Sequence, residues 1–103
     1  MSKYKAKPTI IAGIRFASKK EGARYLELRL LEKAGEISDL KLQPAIRCVV
    51  NGSIVCTYKA DFFYIERKTF KEVYEDVKGM RLALYVLKAK LVKACTGIEI
   101  KET

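Results

Sequence analysis

At 103 residues the chain has room for one domain and one modest core. Its 50% apolar and 32% charged residues exclude a disordered chain, and no apolar run is long enough to span a bilayer. The excess of 21 Lys and Arg over 12 Asp and Glu, a net charge of +9, points to a polyanion, nucleic acid ahead of an anionic membrane surface.

Residues 1 to 8 lack apolar periodicity, and Lys3, Lys5 and Lys7 form a basic arm able to track a phosphate backbone. Ile10, Ile11, Ile14 and Phe16 suggest a short strand or turn around Gly13. Ser18-Lys19-Lys20-Glu21 reads as a helix start, with Ser at the N-cap and Glu three residues on as a capping box. That helix is expected to run to about Ala34, with Ala23, Leu26, Leu30, Leu31 and Ala34 on its apolar face and Gly35 as its stop. Glu36 to Pro44 is a connector. Ala45 to Val50 and Ile54 to Ile65 are strands joined at Asn51-Gly52, a dipeptide suited to the positive φ of a tight hairpin. Glu72 to Lys78 is a third strand, and Gly79 breaks it. A second helix is expected from Arg81 to about Ala94, with Leu84, Leu87 and Leu91 on one face and Arg81, Lys88, Lys90 and Lys93 making it basic elsewhere. Ile98 to Lys101 is a last short strand. The fold class is therefore mixed α/β (α+β): a central mixed sheet containing a three-strand meander, with helices against it and no second domain.

The absence of His excludes Ser-His and Cys-His nucleophiles and His-ligated metals. Cys48, Cys56 and Cys95 lack Cys-x-x-Cys spacing, and an odd count fits free thiols in a reducing cytoplasm. The residues left to carry chemistry are carboxylates and lysines. Asp61 ends the stretch Tyr58-Lys59-Ala60-Asp61, and Asp76-Val77-Lys78 follows on the next strand. Alternate residues of a strand share a face, so Asp76 and Lys78 point together and Val77 points away. Two carboxylates and an ammonium converging on neighbouring strands suit a hard divalent cation, Mg²⁺ or Mn²⁺, and an activated water, the requirements of phosphodiester hydrolysis. Asp61 and Asp76 are the expected metal ligands, with the Val77 carbonyl as a further one. Lys78 is placed to orient the water or stabilise charge on the phosphate. Glu21 completes the metal shell or serves only as a helix cap. Glu75 faces the other way and reads as a structural acid. Gln43, in a loop before Pro44, is a candidate polar group near the site. Lys3, Lys5, Lys7, Lys19, Lys20, Arg81, Lys88 and Lys90 are the candidate phosphate contacts.

At these residues the chain resembles the PD-(D/E)XK nuclease superfamily. Asp61 matches the isolated acid, although Ala60 stands where the motif name has Pro. Asp76-Val77-Lys78 matches the second half, and Glu21 matches the additional helical Glu of several branches. The chain is also similar, over nearly its whole length, to a family of small phage and prophage proteins. That pattern is carried by Gly13 to Glu21, Arg24-Tyr25, Leu31 to Ile37, Gln43-Pro44, Tyr58 to Phe62 and Glu75-Asp76-Val77-Lys78-Gly79. Met80-Arg81-Leu82 departs from it in being more apolar. The family is similar to phage endonuclease-I type Holliday junction resolvases. The resemblance implies a restriction-endonuclease-like core and metal-dependent DNA cleavage. The first reading is of branched DNA, and because one site cuts one strand, a twofold homodimer is expected to supply the two opposed nicks. Other readings are a restriction-like or transposon-end nuclease on linear duplex, and a non-catalytic basic nucleic-acid-binding module.

Overall fold

The computed structural model describes residues 8–77 and 82–103. The chain opens with a small hairpin, β1 (Thr9–Ile11) and β2 (Ile14–Phe16), turned by Ala12 and Gly13, both at positive φ. Helix α1 (Lys19–Lys33) follows. Its N-cap is Ser18, whose Oγ accepts the Glu21 N–H at 3.1 Å. The Glu21 carboxylate accepts from the Ala17 N–H at 3.2 Å, so the expected cap forms with its return bond shifted one residue outward. At the other end, Gly35 at φ 81° lets the Glu36 N–H reach back to the Leu31 carbonyl.

The remaining strands are β3 (Ile37–Leu42), β4 (Ala45–Val50), β5 (Ser53–Lys59), β6 (Phe62–Glu66), β7 (Lys71–Asp76) and β8 (Ile100–Glu102), with α2 (Ala83–Thr96) between the last two. The main sheet has the order β3-β6-β7-β8. Its first three strands are antiparallel, and β8 returns parallel to β7 after the α2 crossover. The result is a mixed α+β fold, a mixed sheet flanked by two helices among the described residues, as the sequence led us to expect. No described helix is long and apolar enough to cross a membrane.

Three expectations about the elements are corrected. First, the connector from Glu36 to Pro44 contains β3, an edge strand of the sheet. Asp39 sits at φ 56° and inserts a bulge, so the register passes from Ser38↔Ile65 to Lys41↔Phe63. That extra residue breaks the period-two alternation by which a strand is recognised. Secondly, the single strand expected from Ile54 to Ile65 is two, broken at Ala60 and Asp61. β4 and β5 form a separate ribbon, turned at Asn51-Gly52, and inserted between β3 and β6. The meander is therefore β3-β6-β7.

Thirdly, both helices bury a different stripe. α1 buries Gly22, Tyr25 and Leu28, whereas Leu26 and Leu30 are exposed. Gly22 has a packing reason: a Cβ there would lie 2.7 Å from Cδ1 of Ile11, so the missing side chain lets α1 approach β1. On α2 the buried residue is Val92, with Tyr85, Leu91 and Cys95 partly buried, while Leu84 and Leu87 are exposed. α1 carries leucines on two stripes, and on α2 only Leu91 of the leucine face is partly buried, so counting leucines alone does not select the inner stripe.

The interior has two centres. One lies between α1 and the main sheet, around Tyr25, Leu28, Phe62 and Tyr64. The other lies under α2, around Ile46, Cys48, Tyr58, Ala60 and Val92. The chain crosses from the second to the first at Ala60 and Asp61, which places Asp61 on the seam.

Candidate functional site

Asp61 owes its position to the break between β5 and β6. With Phe62 paired to Glu75, Asp61 lies beside the C-terminal end of β7. Its backbone N–H is shared between the Glu75 carbonyl at 3.1 Å and Oδ1 of Asp76 at 2.9 Å. In return Oδ2 of Asp61 accepts the Val77 N–H at 2.8 Å. Asp76 is almost fully buried, and its own carbonyl accepts from the N–H of Thr103. The two acids expected to act together are thus brought together, and Val77 joins them through its backbone.

Glu21 reaches the same place from the first turn of α1. Its carboxyl is pushed up to about 7, chiefly by burial, then by a hydrogen bond to Asp61 and the charges of Asp61 and Asp76, against the Ala17 N–H that favours the anion. Three carboxyl groups from three elements therefore converge closely enough to compete for charge, and one holds a proton near neutral pH. Among the described residues no three acids or thiols stand as a finished cation cage. Oδ2 of Asp61 and Oδ1 of Asp76 are engaged by main-chain N–H groups. The donor chemistry nevertheless fits a hard divalent ion, being all oxygen, anionic and partly desolvated, and such an ion would compete with the Glu21 proton.

Glu75, next in sequence to Asp76, points to the opposite side of the sheet and is fully buried. Arg24 of α1 clasps it through Nε at 2.7 Å and Nη2 at 3.0 Å, and the hydroxyls of Tyr64 and Thr103 donate to it at 2.6 and 3.1 Å. Burial alone would raise this acid. The Arg24 and Tyr64 hydrogen bonds, the Arg24 charge and Thr103 outweigh it and hold Glu75 below the ordinary carboxylate range. It is a structural acid, as read from the sequence, and it locks α1 to β7 so that Glu21 and Asp76 keep their relative positions.

Gln43 has φ 50°, and its N–H donates to the Asp61 carbonyl at 3.0 Å. With Arg15, Glu21 and Asp61 it lines a small pocket of about 200 Å³. On the other side of the acids lies a larger cavity of about 530 Å³, into which Lys88 faces beside Asp61 and Asp76. Lys19 and Lys20 are exposed at the start of α1, and Lys90 is exposed on α2 away from that cavity. The expected roles of Lys78, Arg81, Lys3, Lys5 and Lys7 fall outside the described residues. Sequence reasoning missed Arg15, Lys59, Tyr58 and Tyr85 as site neighbours, and the position of Lys59 two residues before Asp61 was the available signal.

No curated protein and no solved structure matches the chain significantly. A family model does: residues 1–101 match the one described as a protein of unknown function, DUF1064, and the chain belongs to that family.

Proposed function

We propose that the protein is a Mg²⁺- or Mn²⁺-dependent DNA endonuclease acting on branched DNA such as a four-way junction. The observation that carries this reading is the meeting of Glu21, Asp61 and Asp76, where burial first, then the hydrogen bond to Asp61 and the charges of Asp61 and Asp76, push the Glu21 carboxyl up to about 7. Acids in a cleft whose ionisation is perturbed by burial and by one another mark a candidate functional site. The chain order α1, β3-β6-β7, α2, β8 supports the reading, because it is the order that the nuclease resemblance implies.

A divalent ion bound here supplies charge neutralisation and a water of lowered pKa. Asp61 and Asp76 hold it and are themselves oriented by the paired backbone bonds at the end of β7. Glu21 joins them once deprotonated. Lys78 follows Asp76 by one strand repeat and is assigned the water or the scissile phosphate. Lys88, Lys19 and Lys20 hold flanking phosphates without reading sequence. Two opposed nicks at a junction need two sites, which a twofold homodimer provides. The test is nicking of a cruciform plasmid and of labelled junction, flap and linear duplex in Mg²⁺, with excess chelator as control. Full activity with chelator present defeats the metal mechanism. DNA binding without cutting under any ion favours the binding-module reading, and equal cutting of linear duplex favours the restriction-like one.

A further inference from the structure

The start of α2 opens onto the larger cavity, of about 530 Å³, that shares Asp61 and Asp76 with the acid cluster. Its other walls are of a different character. Leu84 and Tyr85 come from α2, Tyr58 from β5, and Lys59 and Lys88 stand at its rim. The rings of Tyr58 and Tyr85 lie 6.2 Å apart and are tilted by 47°. Leu84 is 62% exposed, an apolar side chain kept in the open beside an acidic centre.

Two features are unexplained by folding. Tyr58 is only 7% exposed, and its hydroxyl has no hydrogen-bond partner among the described residues. A buried hydroxyl left in this way is costly unless something else satisfies it. In addition, α2 starts at Ala83 behind its N-cap Leu82 with no side chain among the described residues capping its first N–H groups, and it has no acid in its first turn. Unsatisfied N–H groups at a helix start attract an anion.

We propose that this cavity takes one unpaired nucleotide next to the bond that is cut. Its base lies against Leu84 and the Tyr58–Tyr85 pair, and the Tyr58 hydroxyl bonds the base edge. Its flanking phosphates meet Lys59, Lys88 and the open first turn of α2. The volume falls among those of small-ligand sites, about 300–1,000 Å³. Apolar and aromatic walls suit the face of any base, so recognition is of an unstacked base rather than of sequence. A base inside a continuous duplex must first be extruded, whereas one at a junction, flap or bulge is already free or nearly so. The proposal rests on the nuclease reading, since cavity and acids share Asp61 and Asp76, and it names the feature by which branched DNA is preferred.

The test uses 2-aminopurine placed in a one-nucleotide bulge and, separately, in continuous duplex, titrated with the full chain in Ca²⁺. We expect the bulge to bind about tenfold tighter, with a change in emission that the duplex does not show. Tyr58→Phe and Leu84→Ala each reduce that preference severalfold. Tyr58→Phe is expected to melt no lower than the parent chain, because its hydroxyl has no partner among the described residues to lose. Equal affinity for bulge and duplex, or an undiminished preference in both variants, overturns the proposal. Metal-dependent nicking without any bulge preference removes the cavity proposal and leaves the nuclease reading. A bulge preference without cutting under any ion removes the nuclease reading and leaves the cavity.

Discussion

The backbone N–H of Asp61 donates to Oδ1 of Asp76 at 2.9 Å, so the position of one acid is set by the side chain of the other. Charge and geometry are therefore separable at Asp76. Asp76→Asn keeps an oxygen acceptor and loses the charge. Asp76→Ala loses both, at about 1 kcal/mol of stability, because the Glu75 carbonyl still accepts from Asp61.

We expect Asp61→Asn and Asp76→Asn to fold and bind DNA but to nick at least about 100-fold more slowly. Thermal melts and Mg²⁺-dependent plasmid nicking check this. Parental nicking rates in both variants would rule out the metal assignment. Lys78→Ala is expected to cost a similar factor in rate with metal affinity little changed.

Removing Arg24 strands Glu75 in the interior. Arg24→Ala is expected to cost about 3–5 kcal/mol, read as a fall in denaturation midpoint. The double change Arg24→Met with Glu75→Gln recovers a substantial part of that loss, because no buried charge remains. A double variant as unstable as the single one would contradict this account.

The acids give opposite pH signatures. Glu21 has a folded pKa of about 7, above its unfolded value, so the metal-free native state binds its proton more tightly. Its contribution is present below about pH 4.5 and is lost as pH rises through 7, on the order of 1 kcal/mol. Glu21→Gln removes that slope from the metal-free melting curve and keeps the cap to Ala17. Glu75 is held below its ordinary value, so its contribution is present above about pH 4.5 and is lost as acid protonates it. Melting temperatures of the parent and Glu21→Gln chains from pH 4 to 8 separate the two.

The three cysteines are free thiols. Cys48 lies opposite Cys56 across the ribbon and is fully buried. Burial, then Cys56 and Cys95, push its thiol up to about 11. Under native conditions Cys48 is expected to react with a disulfide reagent far more slowly than after denaturation. Complete, immediate labelling of all three thiols in the native protein would contradict its placement.

What the sequence disclosed and what it concealed follow from one physical distinction. Signals confined to a few neighbouring residues were legible: the Ser18 cap, the Asn51-Gly52 turn, the Gly35 stop, and the alternation that turns Glu75 away from Asp76. Properties that depend on which surface a segment meets were not. Leu26 and Leu30 have the spacing of a buried face, yet Tyr25 and Leu28 are the residues that find the sheet. The bulge at Asp39 hid β3 by shifting its alternation. The corner at Asp61 was unreadable because Tyr58 and Phe62 are both apolar, and nothing local states that they enter different cores. The acid pair itself was visible because chemistry restricts residue type more tightly than packing does.

The ribbon inserted between β3 and β6 carries a consequence for the order of folding. Leu42 and Phe62 are partners in the main sheet, although the whole ribbon separates them along the chain. Closing that loop in one step is costly in entropy, whereas closing the Asn51-Gly52 turn is cheap and takes on the order of microseconds. Zipping from the turn brings Ala60 to Pro44 and then Gln43 to Asp61, bonds of 3.1 and 3.0 Å that continue the ribbon into the sheet. The hairpin is thus expected to act as a template for a long-range pairing, with Asp61 reaching its corner only when β7 pairs with β6. Changes at Asn51 or Gly52 should slow folding more than they accelerate unfolding, leaving the finished acid cluster unaltered.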